Sequence, residues 1–255
     1  NQGYVSAREE FHRNWSGLFE VLPRYAPAAR CWREPGALVG ISGWAIGAFN
    51  TAILDDEHAL TAQTLERMTT QFTMIGLPYS LMVCSPLTVP DCDELMQDQG
   101  YSRWFADPLL WREGPIVAPP ADPRITIVPV NDADGLAVYS ALVHKVFDLP
   151  TVIGDSYLEI MWRMPNSQQV IANWDGNPVG VGMLLLCNGT AAIYELGTLP
   201  IARRRGVGST LCAALHQMAL AAGYRGTVLA SSAMGLPIYS KLGYQHDGYQ
   251  VAYSR

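Results

Sequence analysis

The sequence predicts an α/β fold built from mixed, mostly antiparallel sheets flanked by helices and arranged in two domains. Three observations predict it. Strand-like alternation and helix-like spacing follow one another along the chain, a proline cluster divides it near the middle, and the same order of elements occurs on both sides of that cluster.

The 255 residues are 49% hydrophobic and 16% charged, enough apolar material for one large or two modest cores. The formal net charge of -6 excludes a sequence-independent nucleic-acid binder, which needs a basic face to displace counterions. Cys31, Cys84, Cys92, Cys187 and Cys212 are odd in number, scattered and without a CxxC pair, so they read as reduced core thiols and no metal is expected. No apolar run reaches the length of a membrane span, and Arg8, Glu9, Glu10 and Arg13 do not fit a signal peptide. The reading is a cytoplasmic protein with neither a nucleic-acid nor a membrane partner.

The proline cluster, Glu113 to Pro123, disfavours both helix interior and central strand and reads as a linker between domains of residues 1–118 and 119–255. Beyond it, Arg124 to Val130 suits a strand, and Asn131 offers an N-cap to a helix ending near Val146. A second helix follows over Asp155 to Met164. Three apolar runs, Gln169 to Trp174, Val179 to Leu186 and Ala191 to Leu199, are separated by the turn signals Asp175-Gly176-Asn177-Pro178 and Asn188-Gly189, which predicts an antiparallel meander. From Gly208 the period changes: Leu211, Ala214, Leu215, Met218, Ala219 and Ala222 form one helical stripe that Gly223 terminates. A strand over Thr227 to Ala230, a short helix capped by Ser232 and ended by Gly243, and a last strand through Tyr249, Val251 and Tyr253 complete this half. The first half repeats the order, with apolar runs in Ala37 to Leu54, a helix over about Leu60 to Ile75, a strand over Tyr79 to Val83 and a helix around Asp91 to Asp98.

The most informative stretch is Thr198 to Thr210, where Arg203, Arg204 and Arg205 precede Gly206-Val207-Gly208-Ser209 between a strand and a helix. A helix N-terminus presents backbone N–H groups without intrahelical partners and a partial positive charge, so it favours an anion. Glycines there let the backbone approach phosphate oxygens, and arginines add charge-assisted hydrogen bonds. Neither GxxxxGKS/T nor GxGxxG is present, which removes the best support for nucleoside triphosphate or dinucleotide binding.

Arg203-x-x-Gly206-x-Gly208, following a strand and opening a helix, resembles the acetyl-CoA-binding motif of the GNAT superfamily of N-acetyltransferases. The segment from Leu229 through Tyr239 to Leu242-Gly243-Tyr244 resembles the closing signature of the same family. In the first half, Leu54-Asp55-Asp56-Glu57-His58 stands where the phosphate motif would be, and its carboxylates would repel a pyrophosphate. The chain therefore resembles a tandem-GNAT protein with a degenerate first domain.

The resemblance implies acetyl-CoA as cosubstrate and a small-molecule amine as acceptor, in a monomer or homodimer. It implies that backbone groups of Leu196, Gly197, Thr198 and Leu199 bind the carbonyl and the pantetheine arm beside a splayed parallel strand. It also implies that Tyr239 protonates the departing thiolate, where the alternative is a packed core tyrosine. Glu195 is the one acidic residue in an apolar strand and is the candidate general base, unless it orients the substrate ammonium or faces a wet surface. Ser232 is either a cofactor contact or only a helix cap. His144, His216 and His246 lack metal-ligand spacing and read as packing or surface residues. A non-catalytic acyl-CoA sensor is the competing function.

Overall fold

The computed structural model describes residues 5–85, 89–117, 122–148 and 151–255. Its elements begin with α1 (Ala7–Val21), β1 (Arg30–Glu34), β2 (Ala37–Ile41), β3 (Asn50–Leu54), α2 (Ala62–Ile75), β4 (Ser80–Ser85), α3 (Val89–Gln97) and β5 (Ser102–Glu113). They continue with β6 (Ile125–Pro129), α4 (Ala133–Phe147), α5 (Thr151–Arg163), β7 (Ser167–Trp174), β8 (Asn177–Cys187) and β9 (Thr190–Thr198). Last come α6 (Val207–Ala221), β10 (Gly226–Ala230), α7 (Leu236–Lys241) and β11 (Gln245–Ser254). The chain forms two compact units, one of Asn1–Leu110, Ala230–Ala233 and His246–Arg255, the other of Trp111–Leu229 and Met234–Gln245. The expected linker lies partly, and the 118/119 boundary wholly, outside the described residues.

In the first unit, β1, β2 and β3 form an antiparallel meander and β3 runs parallel to β4. The last strand of the chain then returns to this sheet: β11 pairs antiparallel with β4, with Tyr249 opposite Ser85 and Tyr253 opposite Leu81. Helix α2 lays Leu65, Met68 and Phe72 against Val39, Leu54, Val83 and Val251, and Gly76 ends it in the left-handed conformation. Helix α1 starts at Ser6, whose hydroxyl accepts the Glu9 N–H, and Glu9 and Glu10 in its first turn complement the helix dipole. Its Phe19 sits so close to β2 that a Cβ on Gly40 would lie 2.3 Å from the ring. The sequence reading assigns no element to α1, β1 or β5. In α1 the buried face mixes Phe11, Leu18 and Phe19 with Glu10, Asn14, Ser16 and Gly17, which dilutes the apolar period.

The second unit orders its strands β10-β9-β8-β7-β6, antiparallel except for β9 and β10. The expected meander is present. Helix α6 covers β8 closely: a Cβ on Gly182 would come within 2.7 Å of Leu215, and one on Gly180 within 3.0 Å of Leu211. Several boundaries differ from the sequence reading. Asp132, not Asn131, caps α4 by accepting the Gly135 N–H at 2.8 Å, and α5 and α6 begin at Thr151 and Val207. Helix α7 begins only at Leu236, with Gly235 at the N-cap and proline in the first turn, so Ser232 does not cap it. Proline sets the start because its fixed φ and missing N–H suit the first turn. Among the described residues no helix is long and apolar enough to cross a membrane.

The contact between α1 and β2 is testable. Gly40→Ala should lower the stability of the chain by about 1–3 kcal/mol through overpacking against Phe19, read as a shifted chemical-denaturation midpoint. An unshifted midpoint would show that α1 does not rest on β2.

Candidate active site

The geometry begins where β9 ends. After a short 3-10 turn at Pro200–Ala202, Arg204 and Gly206 both take positive φ, +59° and +83°. Gly206 then stands at the N-cap of α6 with no side-chain cap, and a left-handed N-cap is a position that glycine fills at little cost. Thr210 does not contribute free donors, because its N–H and its hydroxyl both donate to the Gly206 carbonyl, at 3.0 and 2.9 Å. The N–H groups of Val207, Gly208 and Ser209 have no protein acceptor among the described residues, which is the anion-binding arrangement of a helix start. The arginine side chains are exposed. Arg203 Nε donates to the Thr198 carbonyl at 3.3 Å, and the Arg205 guanidinium lies 5.0 Å from the Trp174 ring centre, a ring that also meets Arg124 at 4.2 Å.

Strand β9 carries the second feature. Its pairing with β8 slips between Tyr194, opposite Met183, and Gly197, opposite Val181, a bulge that includes Glu195 at φ +53°. A non-glycine residue in that region costs on the order of 1–3 kcal/mol and persists only where its surroundings hold it. Here phenols hold it. Tyr139 from α4 donates to Glu195 Oε2 at 2.7 Å, and Tyr157 from α5 donates to the same carboxylate. Burial pushes the Glu195 pKa up, and the two phenol hydrogen bonds offset only part of that rise.

The parallel partner, β10, registers with β9 at Val228 opposite Ala192, leaving the later part of β9 as an open edge. Leu199 N–H donates to the Val179 carbonyl at 2.8 Å and its own carbonyl accepts from Ala202. Leu199 is therefore spent on β8 and the following turn. By strand alternation Gly197 also faces β8, while the N–H groups of Thr198 and Leu196 turn toward the open edge.

Residues 141–244 match the model of the acetyltransferase (GNAT) family. Those residues are a GNAT domain. Among solved structures, a GCN5-related N-acetyltransferase from Kribbella flavida is similar over 100% of this chain and 96% of its own, at 18% identity and a TM-score of 0.74. One from Sphaerobacter thermophilus is similar over 96% and 91%, at 14% identity and 0.64. At these identities the likeness shows the fold, and it extends across the whole chain. No curated protein matches the sequence significantly.

Within the GNAT domain, Tyr239 on α7 is buried, 7% exposed, and its ring meets Tyr244 edge-to-face at 5.9 Å. Its neighbour Ile238 lies beside the start of α6, within 3.2 Å of where a Gly208 Cβ would be. Among the described residues no protein group accepts from the Tyr239 phenol, and burial, with Cys212 nearby, raises its pKa so that it stays protonated. Ser232 falls in Ala230–Ala233, which clusters with the first unit. Of the aromatic residues near α5, Trp162 donates its indole N–H to the Val130 carbonyl and Tyr157 serves Glu195, while the adjoining loop lies partly outside the described residues. Tyr139 was not visible as a site residue in the sequence, since it sits 56 positions from Glu195 on a different element. Among the described residues no group of His, Cys, Asp and Glu is arranged to hold a metal.

Because both phenols stabilise the ionised carboxylate, Tyr139→Phe should move the Glu195 titration to still higher pH. A carboxylate-labelled NMR titration reads this, and an unmoved midpoint would mean that the phenol does not serve the charged form.

Proposed function

We propose that the chain is an acyl-CoA-dependent N-acyltransferase that moves an acetyl group to a primary amine of a small-molecule or amino-acid-like acceptor. The chemistry belongs to residues 119–255, with a degenerate companion in residues 1–118. The observation that carries this reading is the set of open N–H groups on Val207, Gly208 and Ser209 at the end of a strand whose own edge is open. A pyrophosphate fits the first and an acyl-pantetheine arm the second.

The first unit contrasts at the corresponding place. After β3, the Asp56 carboxylate accepts the His58 N–H at 2.8 Å, and Thr61 caps α2 by accepting the Thr64 N–H at 3.2 Å. Helix α2 thus begins with its own cap and with Asp55, Asp56 and Glu57 before it, which disfavours an anion.

In the reaction, the amine nitrogen bonds to the thioester carbonyl carbon and gives up a proton to Glu195, whose raised pKa makes it a stronger base than an ordinary carboxylate. The N–H groups of Leu196 and Thr198 on the open edge hold the carbonyl oxygen and the arm as negative charge develops. The carbon–sulfur bond then breaks, the electron pair leaves on sulfur, and Tyr239 supplies the proton that makes the thiol. Since a thiol has a pKa of about 8.5 and a phenol about 10 even before burial, that donation is uphill alone and is coupled to collapse of the tetrahedral intermediate.

Isothermal titration with acetyl-CoA should give one site per chain at about micromolar affinity, weakened about tenfold or more by Gly206→Ala or by Arg203→Ala with Arg205→Ala. Two sites would overturn the degenerate assignment of the first half, and no binding would overturn the function. Activity needs Glu195 deprotonated, so the rate of thiol release should fall as pH drops through its raised pKa, above the ordinary glutamate range. Glu195→Gln should cost on the order of 100-fold in kcat and abolish that limb; binding with no thiol release from any amine would identify a sensor instead.

A further inference from the structure

Helix α6 carries a polar chain through the core of the second unit that the acyl-transfer chemistry does not use. His216 is 1% exposed, yet both ring nitrogens are engaged: Nε2 with the Gly114 carbonyl at 2.8 Å and Nδ1 with Thr227 Oγ1 at 2.8 Å. Thr227 Oγ1 also meets the Tyr244 hydroxyl at 2.6 Å, and Cys212 Sγ donates to that hydroxyl at 3.5 Å.

The direction of every bond follows from one end. A carbonyl oxygen only accepts, so His216 Nε2 carries a proton. Burial and the nearby Arg112 both disfavour a second proton on the ring, so Nδ1 is an acceptor and Thr227 donates to it. The Thr227 oxygen is then the acceptor for Tyr244, and the Tyr244 oxygen the acceptor for Cys212. No member has a spare donor or a choice of partner. A fully assigned buried chain fixes its side chains, because a broken link leaves a desolvated polar atom unpaired.

The output of this chain is the Tyr244 ring, whose edge-to-face contact with Tyr239 is supplemented by the Tyr244 N–H donating to the Tyr239 carbonyl at 3.1 Å. We propose that His216, Thr227 and Tyr244 are positioning residues that hold the Tyr239 phenol in place for proton donation to the CoA thiolate. The inference rests on the reading of Tyr239 as the proton donor. It assigns His216 a task that neither metal binding nor simple packing describes.

The test uses the full chain, acetyl-CoA, and hydroxylamine as an amine nucleophile small enough to need no acceptor-specific pocket. Thr227→Val removes the hydroxyl while keeping the shape, and Thr227→Ser restores it. Thr227→Val should lower kcat by about tenfold with the KM for acetyl-CoA within about twofold, Thr227→Ser should recover most of the loss, and neither should slow a Tyr239→Phe enzyme further. A 3-fluorotyrosine label at position 239 gives a reading independent of turnover: one narrow 19F resonance in the parent, broadened or split by Thr227→Val or Tyr244→Phe.

If Tyr239→Phe turns over like the parent, the donor reading fails and the inference falls with it. If Tyr239→Phe is slow while Thr227→Val matches the parent and the resonance is unmoved, the donor stands and the positioning chain is refuted. A loss in Thr227→Val that also appears in the Tyr239→Phe background, or that Thr227→Ser does not recover, refutes it equally, since the effect would then be general damage to the fold.

Discussion

Buried backbone N–H and C=O groups are nearly always paired, and among the described residues of the second unit the start of α6 has N–H groups without a protein acceptor. Strand β9 registers with its parallel neighbour at Ala192 and then runs on past it, while α6 starts two turns later with its first donors unpaired. The surrounding choices follow from keeping this gap open. Gly206 supplies a left-handed N-cap without a side chain to fill it, Gly208 leaves room beside Ile238, and the bulge at Glu195 changes which backbone groups of β9 face the gap. A capped helix and a completed strand pair would leave no open donors there.

Phenols brace both side chains assigned to the chemistry. Glu195 is held by Tyr139 and Tyr157, which donate to it, and Tyr239 is held by the ring of Tyr244, whose hydroxyl is committed elsewhere. The two arrangements differ in their effect. Around Glu195, hydrogen bonds and desolvation oppose each other and leave a base of raised pKa; around Tyr239, contact is through the ring edge and the phenol proton is left uncommitted.

The helix start after Arg203 to Gly208 was legible because its signal is local: these residues are consecutive, and strand, loop and helix follow from adjacent residues. The meander of β7, β8 and β9 was legible for the same reason, its turns marked by Asp175-Gly176 and Asn188-Gly189, all four at positive φ. The partners of Glu195 were not, since tyrosines on two other helices come to it only through the fold. His216 looked like packing because a single histidine carries no sign of the threonine and tyrosine that meet it. The sequence offers Ser232 either as a cofactor contact or as a helix cap, and Pro237 sets a later start for α7 than a Ser232 cap gives. Helix α1 was missed because its buried face is half polar.

The return of β11 to the first unit bears on how the chain reaches its structure. Tyr253 faces Leu81 in the finished sheet, so β4 keeps an unpaired edge until a segment synthesised some 170 residues later arrives. The first unit therefore cannot complete its sheet during synthesis of its own half, and a pairing of such high sequence separation is slow to form. An exposed strand edge in the interim is a template for association with other chains. For the same reason no single cut divides this protein into two whole units: a fragment ending near residue 110 lacks the strand that covers β4, and its complement carries that strand with nothing to pair it.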